Sequence, residues 1–442
     1  MSRGYSLKVE KTSYLSGVIK APSSKSYTIR AVILAGLDGR LKVFNHLYSD
    51  DTLAAIKALE ALGASIKKGN GFLDIRGFRG RPSLKKASIN VGESGTLLRL
   101  VLPIAVLGKG RFLIRGEGTL LNRPNKAIAQ ALMSSGSEIK GRDREFRLPL
   151  EIEGKGKFQG GVIEVSARMS SQTVSSLLNI AIFARQDTTI IVKDEAVSKP
   201  YIDITMDMLR QAGINIEQKG YRKFFVSAGQ HFKPKKDFVI HGDYSSAAFL
   251  IAAGCLLGSD IVITDLVRDA QGDRRIISIL NSMGARIRRQ GDKVIIKGPF
   301  TLKGRDIDCC DTPDLVPVLS AVACFARGKT RLLNIGHLAY KESNRISAVA
   351  NELRKLNAKI SAGFDSLLIK QSILKPAAVS SCNDHRIAMA LAVAGLAVGG
   401  VTVTGAECVN KSYPHFIADM QSLGAKFIRG TFYSGEVKYD YS

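Results

Sequence analysis

The chain of 442 residues has no tryptophan, and its 39 acidic residues are far outnumbered by 64 lysines and arginines. Its six cysteines (Cys255, Cys309, Cys310, Cys324, Cys382 and Cys408) all fall in the second half and form no C-x-x-C pair. That pattern argues against a zinc or redox motif and suits a reducing compartment. The longest uncharged apolar run, Ile387 to Val401, is interrupted by glycines and falls short of the roughly 18 to 20 residues that span a bilayer. Met1 to Lys20 has no apolar stretch like that of a secretory leader. A cytoplasmic protein without a membrane partner is therefore expected. The net charge of +25 asks for anionic partners, whether nucleic acid, acidic membrane or phosphorylated metabolites. Nucleic-acid grooves interleave cations with exposed aromatics for base stacking, and no such cluster is legible, so nucleic acid is not expected either.

What the chain does have is length and a repeat. An apolar content of 45% can furnish two or three hydrophobic cores. Helix-like segments end in a shared pattern around Gly63, Gly136, Gly213, Gly284, Asn357 and Gly424, each followed within three residues by a β-branched or aromatic one. Successive markers lie 73, 77, 71, 73 and 67 residues apart, which makes the chain six copies of one unit. Gly and Asn are the residues that accept the left-handed conformation at a helix C-terminus. A second series keeps the same rhythm: Ser23-Ser24-Lys25-Ser26, Glu93-Ser94-Gly95-Thr96, Ser170-Ser171-Gln172-Thr173, Asp243-Tyr244-Ser245-Ser246, Asp311-Thr312-Pro313-Asp314 and Asn383-Asp384-His385-Arg386. Ser, Thr, Asp and Asn accept hydrogen bonds from the free N–H groups of a first helical turn, so each cluster opens a helix.

With β-rich runs on either side, the unit reads strand, helix, strand, helix, strand, strand, an α/β class. Units of about 70 residues are too large for a solenoid, so two groups of three are expected. The predicted domains are 1–22 plus 241–442, and 23–240, with the first strand returning to the C-terminal half. Helix N-termini attract anions, and recurrence of these clusters at equivalent places turns plain capping into an expected ligand site.

These segments together resemble the EPSP synthase family, in the family's own order over nearly the whole chain. The resemblance rests on Ser24-Lys25-Ser26 with Arg30, Ser49-Asp50-Asp51, Gly95-Thr96 with Arg99, Arg123-Pro124, Ser170-Ser171-Gln172, and Ser198 to Thr205. It continues through Gly242-Asp243 with Ser245-Ser246-Ala247, Gln271-Gly272-Asp273, Pro313-Asp314, Lys341-Glu342-Ser343 with Arg345, Asn383 to Arg386, and Lys411. It implies two domains of three βαβαββ units each, an inside-out α/β barrel arrangement joined by a two-crossover hinge, with the active site in the interdomain cleft. The implied activity is transfer of the enolpyruvyl group of phosphoenolpyruvate to shikimate 3-phosphate by a monomer.

By that resemblance, phosphoenolpyruvate meets Lys25, Gly95, Arg123, Gln172, Arg345, Arg386 and Lys411. Shikimate 3-phosphate meets Lys25, Ser26, Arg30, Ser170, Ser171, Gln172, Ser198, Asp314 and Lys341, and Tyr201, His337, Asp384 and His385 are possible additional site residues. Asp314 is the implied base for the attacking hydroxyl. Glu342, expected to start protonated through partial burial, serves the methylene carbon with help from Lys25. The two ligands carry roughly five negative charges, a load that seven cations (Lys25, Arg30, Arg123, Lys341, Arg345, Arg386 and Lys411) are expected to offset. No metal or organic cofactor enters this scheme.

Three departures from the family pattern stand out: Asn344 for the usual Asp, His337 for an Asn, and Glu93-Ser94 for Asn-Ala. Within the fold the rival is UDP-N-acetylglucosamine enolpyruvyl transferase, which relies on a cysteine in the loop corresponding to 116–125, where this chain has none. From another class, RNA 3'-phosphate cyclases share related repeat units.

Overall fold

The computed structural model describes residues 4–37, 39–85, 88–234, 236–433 and 436–439. All six markers lie in the left-handed region, with φ of +103°, +88°, +84°, +113°, +68° and +103° in chain order. After each, a backbone N–H bonds to the carbonyl five residues earlier: Ala64 to Leu59, Ser137 to Leu132, Ile214 to Leu209, Ala285 to Leu280, Ala358 to Leu353 and Ala425 to Met420. This is the bond that a left-handed residue makes possible, so the repeat seen in the sequence is a repeat of helix ends.

Twelve α-helices form among the described residues. They are α1 (Lys25–Leu37), α2 (Asp50–Ala61), α3 (Gly95–Leu107), α4 (Lys126–Ser134), α5 (Gln172–Ala181), α6 (Pro200–Gln211), α7 (Tyr244–Leu256), α8 (Arg275–Ser282), α9 (Val316–Ala323), α10 (Arg345–Lys355), α11 (His385–Val398) and α12 (Phe416–Ser422). The odd-numbered helices are apolar on nearly every side and buried; in α7 every residue from Tyr244 to Cys255 is inside. A helix of that composition must be surrounded by protein. The even-numbered ones bury one stripe, as α10 does with Ile346, Val349, Ala350 and Leu353.

Each repeat adds its strands as a parallel pair continued by an antiparallel hairpin. Gly161–Val165 pairs in parallel with Thr188–Val192, which pairs antiparallel with Lys223–Val226, and Glu217–Lys219 forms the edge. Side chains alternate across such strands; Val162 is exposed while Ile163 and Val165 are buried. Two opening strands are exchanged. Tyr14–Lys20 precedes α1 yet pairs with Gly258–Thr264, whereas Phe238–Val239 pairs with Arg40–Phe44. In the sixth repeat Tyr5–Val9 takes the middle position of a five-stranded sheet, antiparallel to both Val401–Thr404 and Phe427–Tyr433.

The chain accordingly divides into two compact units. One comprises the chain up to Pro22, His241–Arg268 and everything from Gly272; the other comprises Ser23–Ile240 with Asp269–Gln271. The short segment joins the second unit because the Ala270 N–H donates to the Tyr27 hydroxyl. Each unit has its own apolar core. Its three sheets stay separate rather than closing into one, so "barrel" here describes helices inside and sheets outside, not a continuous ladder. No described helix is long and apolar enough to cross a membrane.

Candidate functional site

In the unit of residues 23–240, the first turns of α1, α3, α5 and α6 carry the expected ligands. Ser24 Oγ accepts from the Tyr27 N–H, opening α1 and placing Lys25, whose Nζ lies 3.1 Å from Asp51 Oδ2 at the start of α2. Arg30 is buried, with Nε on Thr205 Oγ1 at 2.8 Å, Nη1 on the Ser26 carbonyl and Nη2 on the Tyr201 carbonyl. Burial brings its guanidinium down to about 10, still charged at neutral pH. The Tyr201 carbonyl also accepts from Ser175 Oγ and Thr205 Oγ1. Ser198, buried at φ +54°, turns the chain into Pro200 at the start of α6. A left-handed serine is a strained conformation of the kind that clusters at ligand sites.

Ser94 caps α3 by accepting from the Leu97 N–H, and Gly95 follows it. A Cβ on Gly95 would stand 2.9 Å from Arg123 Nη1. Arg99 Nη1 donates to Gln172 Oε1 at 3.0 Å, and Gln172 Nε2 donates to Thr96 Oγ1 at 2.6 Å, which ties α5 to α3. Ser170 Oγ accepts from the Gln172 N–H, and Ser171 is buried behind it without a capping bond of its own. Arg123 is buried and donates to Thr119 Oγ1. Glu93, one of the departures, accepts from the Thr119 N–H and thereby fixes the loop that presents Arg123.

In the other unit Arg345, only 1% exposed, meets three carboxylates: Nε to Asp384 Oδ2 at 2.8 Å, Nη1 to Asp314 Oδ1 at 2.6 Å and Nη2 to Glu342 Oε2 at 2.7 Å. Arg386 Nη2 reaches the other Asp314 oxygen at 3.4 Å. Burial alone would raise the Asp314 carboxyl, but Arg386, Arg345 and Lys341 outweigh it and hold the group well below the usual carboxylate range. Asp384 caps α11 through the Arg386 N–H and accepts from Ser343 Oγ. Lys411 Nζ donates to the Asn383 carbonyl at 2.9 Å. His385 is buried in the first turn of α11. His337 is buried too, and burial together with Lys341 pushes it down to about 3, so its ring is neutral. Asn344 replaces an acid yet caps α10 by accepting from the Ser347 N–H.

Of the four cations of this unit (Lys341, Arg345, Arg386 and Lys411), Arg345 and Arg386 are ion-paired, Arg345 to Asp314, Glu342 and Asp384 and Arg386 to Asp314. Glu342, expected to start protonated, is ion-paired to Arg345. Asp51, Arg99 and Asp273 were legible only as members of matched motifs, because their bonds to Lys25, Gln172 and Ser245 come from residues 26 or more positions away, which no local pattern records.

Comparison with known proteins agrees with this arrangement. Residues 9–420 match the family described as EPSP synthase (3-phosphoshikimate 1-carboxyvinyltransferase). The chain is 41% identical over 428 residues to the 3-phosphoshikimate 1-carboxyvinyltransferase of Methanocaldococcus jannaschii, covering 95% of this chain and 99% of the relative. It is 39% identical over 419 residues to the same enzyme of Methanosarcina acetivorans, covering 94% and 97%. The EPSP synthase structure from Acinetobacter baumannii superposes with a TM-score of 0.79 at 26% identity, over 96% of this chain and 99% of that one. With the repeat, the two units and the ordered motifs all in agreement, the chain belongs to the EPSP synthase family, the 3-phosphoshikimate 1-carboxyvinyltransferases.

Proposed function

We propose that the chain transfers the enolpyruvyl group of phosphoenolpyruvate to the 5-hydroxyl of shikimate 3-phosphate, giving 5-enolpyruvylshikimate 3-phosphate and phosphate. The observation that carries the residue roles is the Asp314 carboxylate, kept ionised by Arg345, Arg386 and Lys341 and set beside Glu342 on a shared arginine. Ionised Asp314 takes the proton of the attacking hydroxyl as the new C–O bond forms at the central carbon of the donor. Glu342, assisted by Lys25, delivers a proton to the methylene carbon. In the second step that carbon returns a proton and the bond to phosphate breaks.

A donor carboxylate bound by Arg345 draws the guanidinium from Glu342 and frees that group to hold the proton it must deliver. Lys25, Gly95, Arg123, Gln172, Arg386 and Lys411 complete the donor's contacts. Ser26, Arg30, Ser170, Ser171, Ser198 and Lys341 serve the acceptor, with Tyr201, His337, Asp384 and His385 supporting both. These groups are drawn from both units, so the reading requires the two to act on one pair of ligands. It also makes the protein a cytoplasmic monomer that needs neither nucleic acid nor membrane, a reading that six free cysteines suit.

Phosphate release is the direct test, and it should need both ligands together. Asp314→Asn should lower turnover by about two to four orders of magnitude, the usual size of general-base effects. Glu342→Gln should slow incorporation of solvent deuterium into the methylene group at least as much as it slows product formation. Exchange at the parent rate would remove Glu342 from its role, and phosphate release from either ligand alone would sink the transfer reading.

A further inference from the structure

The Gln271-Gly272-Asp273 segment has no part in the scheme above, yet it places a carboxylate beside the base. Asp273 is 4% exposed and sits in the short 3-10 turn Gly272–Arg274. Its Oδ2 accepts from Ser245 Oγ at 2.5 Å, and the N–H of the same Ser245 donates to Asp243 Oδ1 at 3.0 Å. The start of α7 thus holds two buried acids. Arg386 is 1% exposed, with its guanidinium 6.0 Å from the Phe249 ring of α7, and it uses one donor on Asp314. Its Nε and Nη1 are buried without a hydrogen-bond partner. A buried guanidinium with two unmade bonds is costly unless an anionic ligand completes it.

We propose that Asp273 is a positioning residue of this reaction: held by Ser245 at the start of α7, it sets how much of the Arg386 charge is left to Asp314 and to the anionic donor. The inference rests on the reading of Arg386 and Asp314 given above. The groups facing Asp273 are Asp243 and Ser245 of α7, Asp314 ahead of α9, Arg386 of α11 and the Cys309 thiol. Burial first, and then the Asp314 carboxylate, push Asp273 up to about 7, against the opposing pull of Ser245 and Arg386. The proton is therefore present in the lower part of the physiological range and lost above it.

The same arrangement has a stability signature. The folded group holds its proton to about 7, whereas an unfolded aspartate gives it up near 3.9. Between those values the folded state binds more protons than the unfolded one, so stability falls as pH rises through this window and stays lowered above it. A residue kept for structure alone would not be expected to weaken the fold at neutral pH.

The test is the pH profile of kcat/KM for phosphoenolpyruvate at saturating shikimate 3-phosphate. The parent should fall by up to about tenfold between about pH 7 and 9 along a single-ionisation curve and then level off at a lower plateau. Asp273→Asn, a neutral isostere, should remove that alkaline fall, leaving less than about a twofold change over the same range, and should raise Tm at pH 8. Ser245→Ala removes the hydroxyl that stabilises the charged form, so its alkaline limb should move to higher pH; this variant serves if Asp273→Asn folds poorly. A parent profile flat above 7, variant profiles that superpose on the parent, or a folded Asp273→Asn inactive at every pH would each overturn the proposal. Parent turnover that needs both ligands keeps the functional reading intact in any of those cases.

Discussion

Gly95 marks where a single methyl group should be felt. The space in front of it is filled by Arg123 Nη1, 2.9 Å from the position of an added Cβ, and Arg99 Nη1 lies 3.3 Å from it. Gly95→Ala must push at least one guanidinium aside, and because these are flexible ends the fold survives. The change should appear as a loss of donor binding. A misplaced charge-assisted hydrogen bond costs about 1.5 to 3 kcal/mol, so KM for phosphoenolpyruvate should rise by about 10- to 100-fold while kcat changes less. Steady-state kinetics at saturating acceptor check this, and an unchanged KM would take Arg123 out of the donor site. The departures are also explained at this scale. His337 stays neutral and offers one donor and one acceptor, close to what an amide would offer, and Glu93 has a backbone N–H to hold.

Helix α10 shows how elements encode the repeat. It opens on the Asn344 cap and ends before Asn357, which at φ +68° does the work that glycine does in the other five repeats. An alanine there should cost about 1 to 2 kcal/mol, the penalty of a left-handed residue with a Cβ. Asn357→Ala should therefore lower Tm by about 2 to 8 °C in a unit of this size, whereas Asn357→Gly, which gives up the exposed bond from Asn357 Nδ2 to the Ile373 carbonyl but keeps the left-handed turn unstrained, should lower it less. Equal Tm for the two variants would contradict this account. Such features were legible in the sequence because a cap or a stop is decided within a few residues. The pairing of Phe238–Val239 with Arg40–Phe44 was not, since a two-residue strand has no periodicity and its partner lies about 195 positions away. Of the ion pairs of Arg345, the one to Glu342 is local, but those to Asp314 and Asp384, 31 and 39 positions away, were hidden for the same reason.

At the scale of the molecule, two cores make a prediction about autonomy. Residues 23–240 are contiguous, contain every strand of their three sheets and enclose their own apolar cluster. Expressed alone, this fragment gives up the packing of Asp269–Gln271, including the bond from the Ala270 N–H to the Tyr27 hydroxyl. One part-buried hydrogen bond of this kind is worth about 1 kcal/mol, small against the total stability of a domain of this length. The fragment should unfold in a single cooperative urea transition. It should still bind shikimate 3-phosphate, because Lys25, Ser26, Arg30, Ser170, Ser171, Gln172 and Ser198 are all present, but it should release no phosphate without Asp314 and Glu342. A fragment ending at residue 236 supplies the contrast. It lacks Phe238 and Ile240, 4% and 1% exposed, and the Ile240 carbonyl that accepts from Asn45 Nδ2. Removing two large buried side chains costs about 3 to 5 kcal/mol each, so this shorter fragment should be unfolded or marginal. If both fragments bind a hydrophobic dye and neither melts cooperatively, the second core depends on the rest of the chain. If both fold equally well, the exchanged strand contributes nothing, and the crossing of the chain near residue 240 has no role in closing this unit's third sheet.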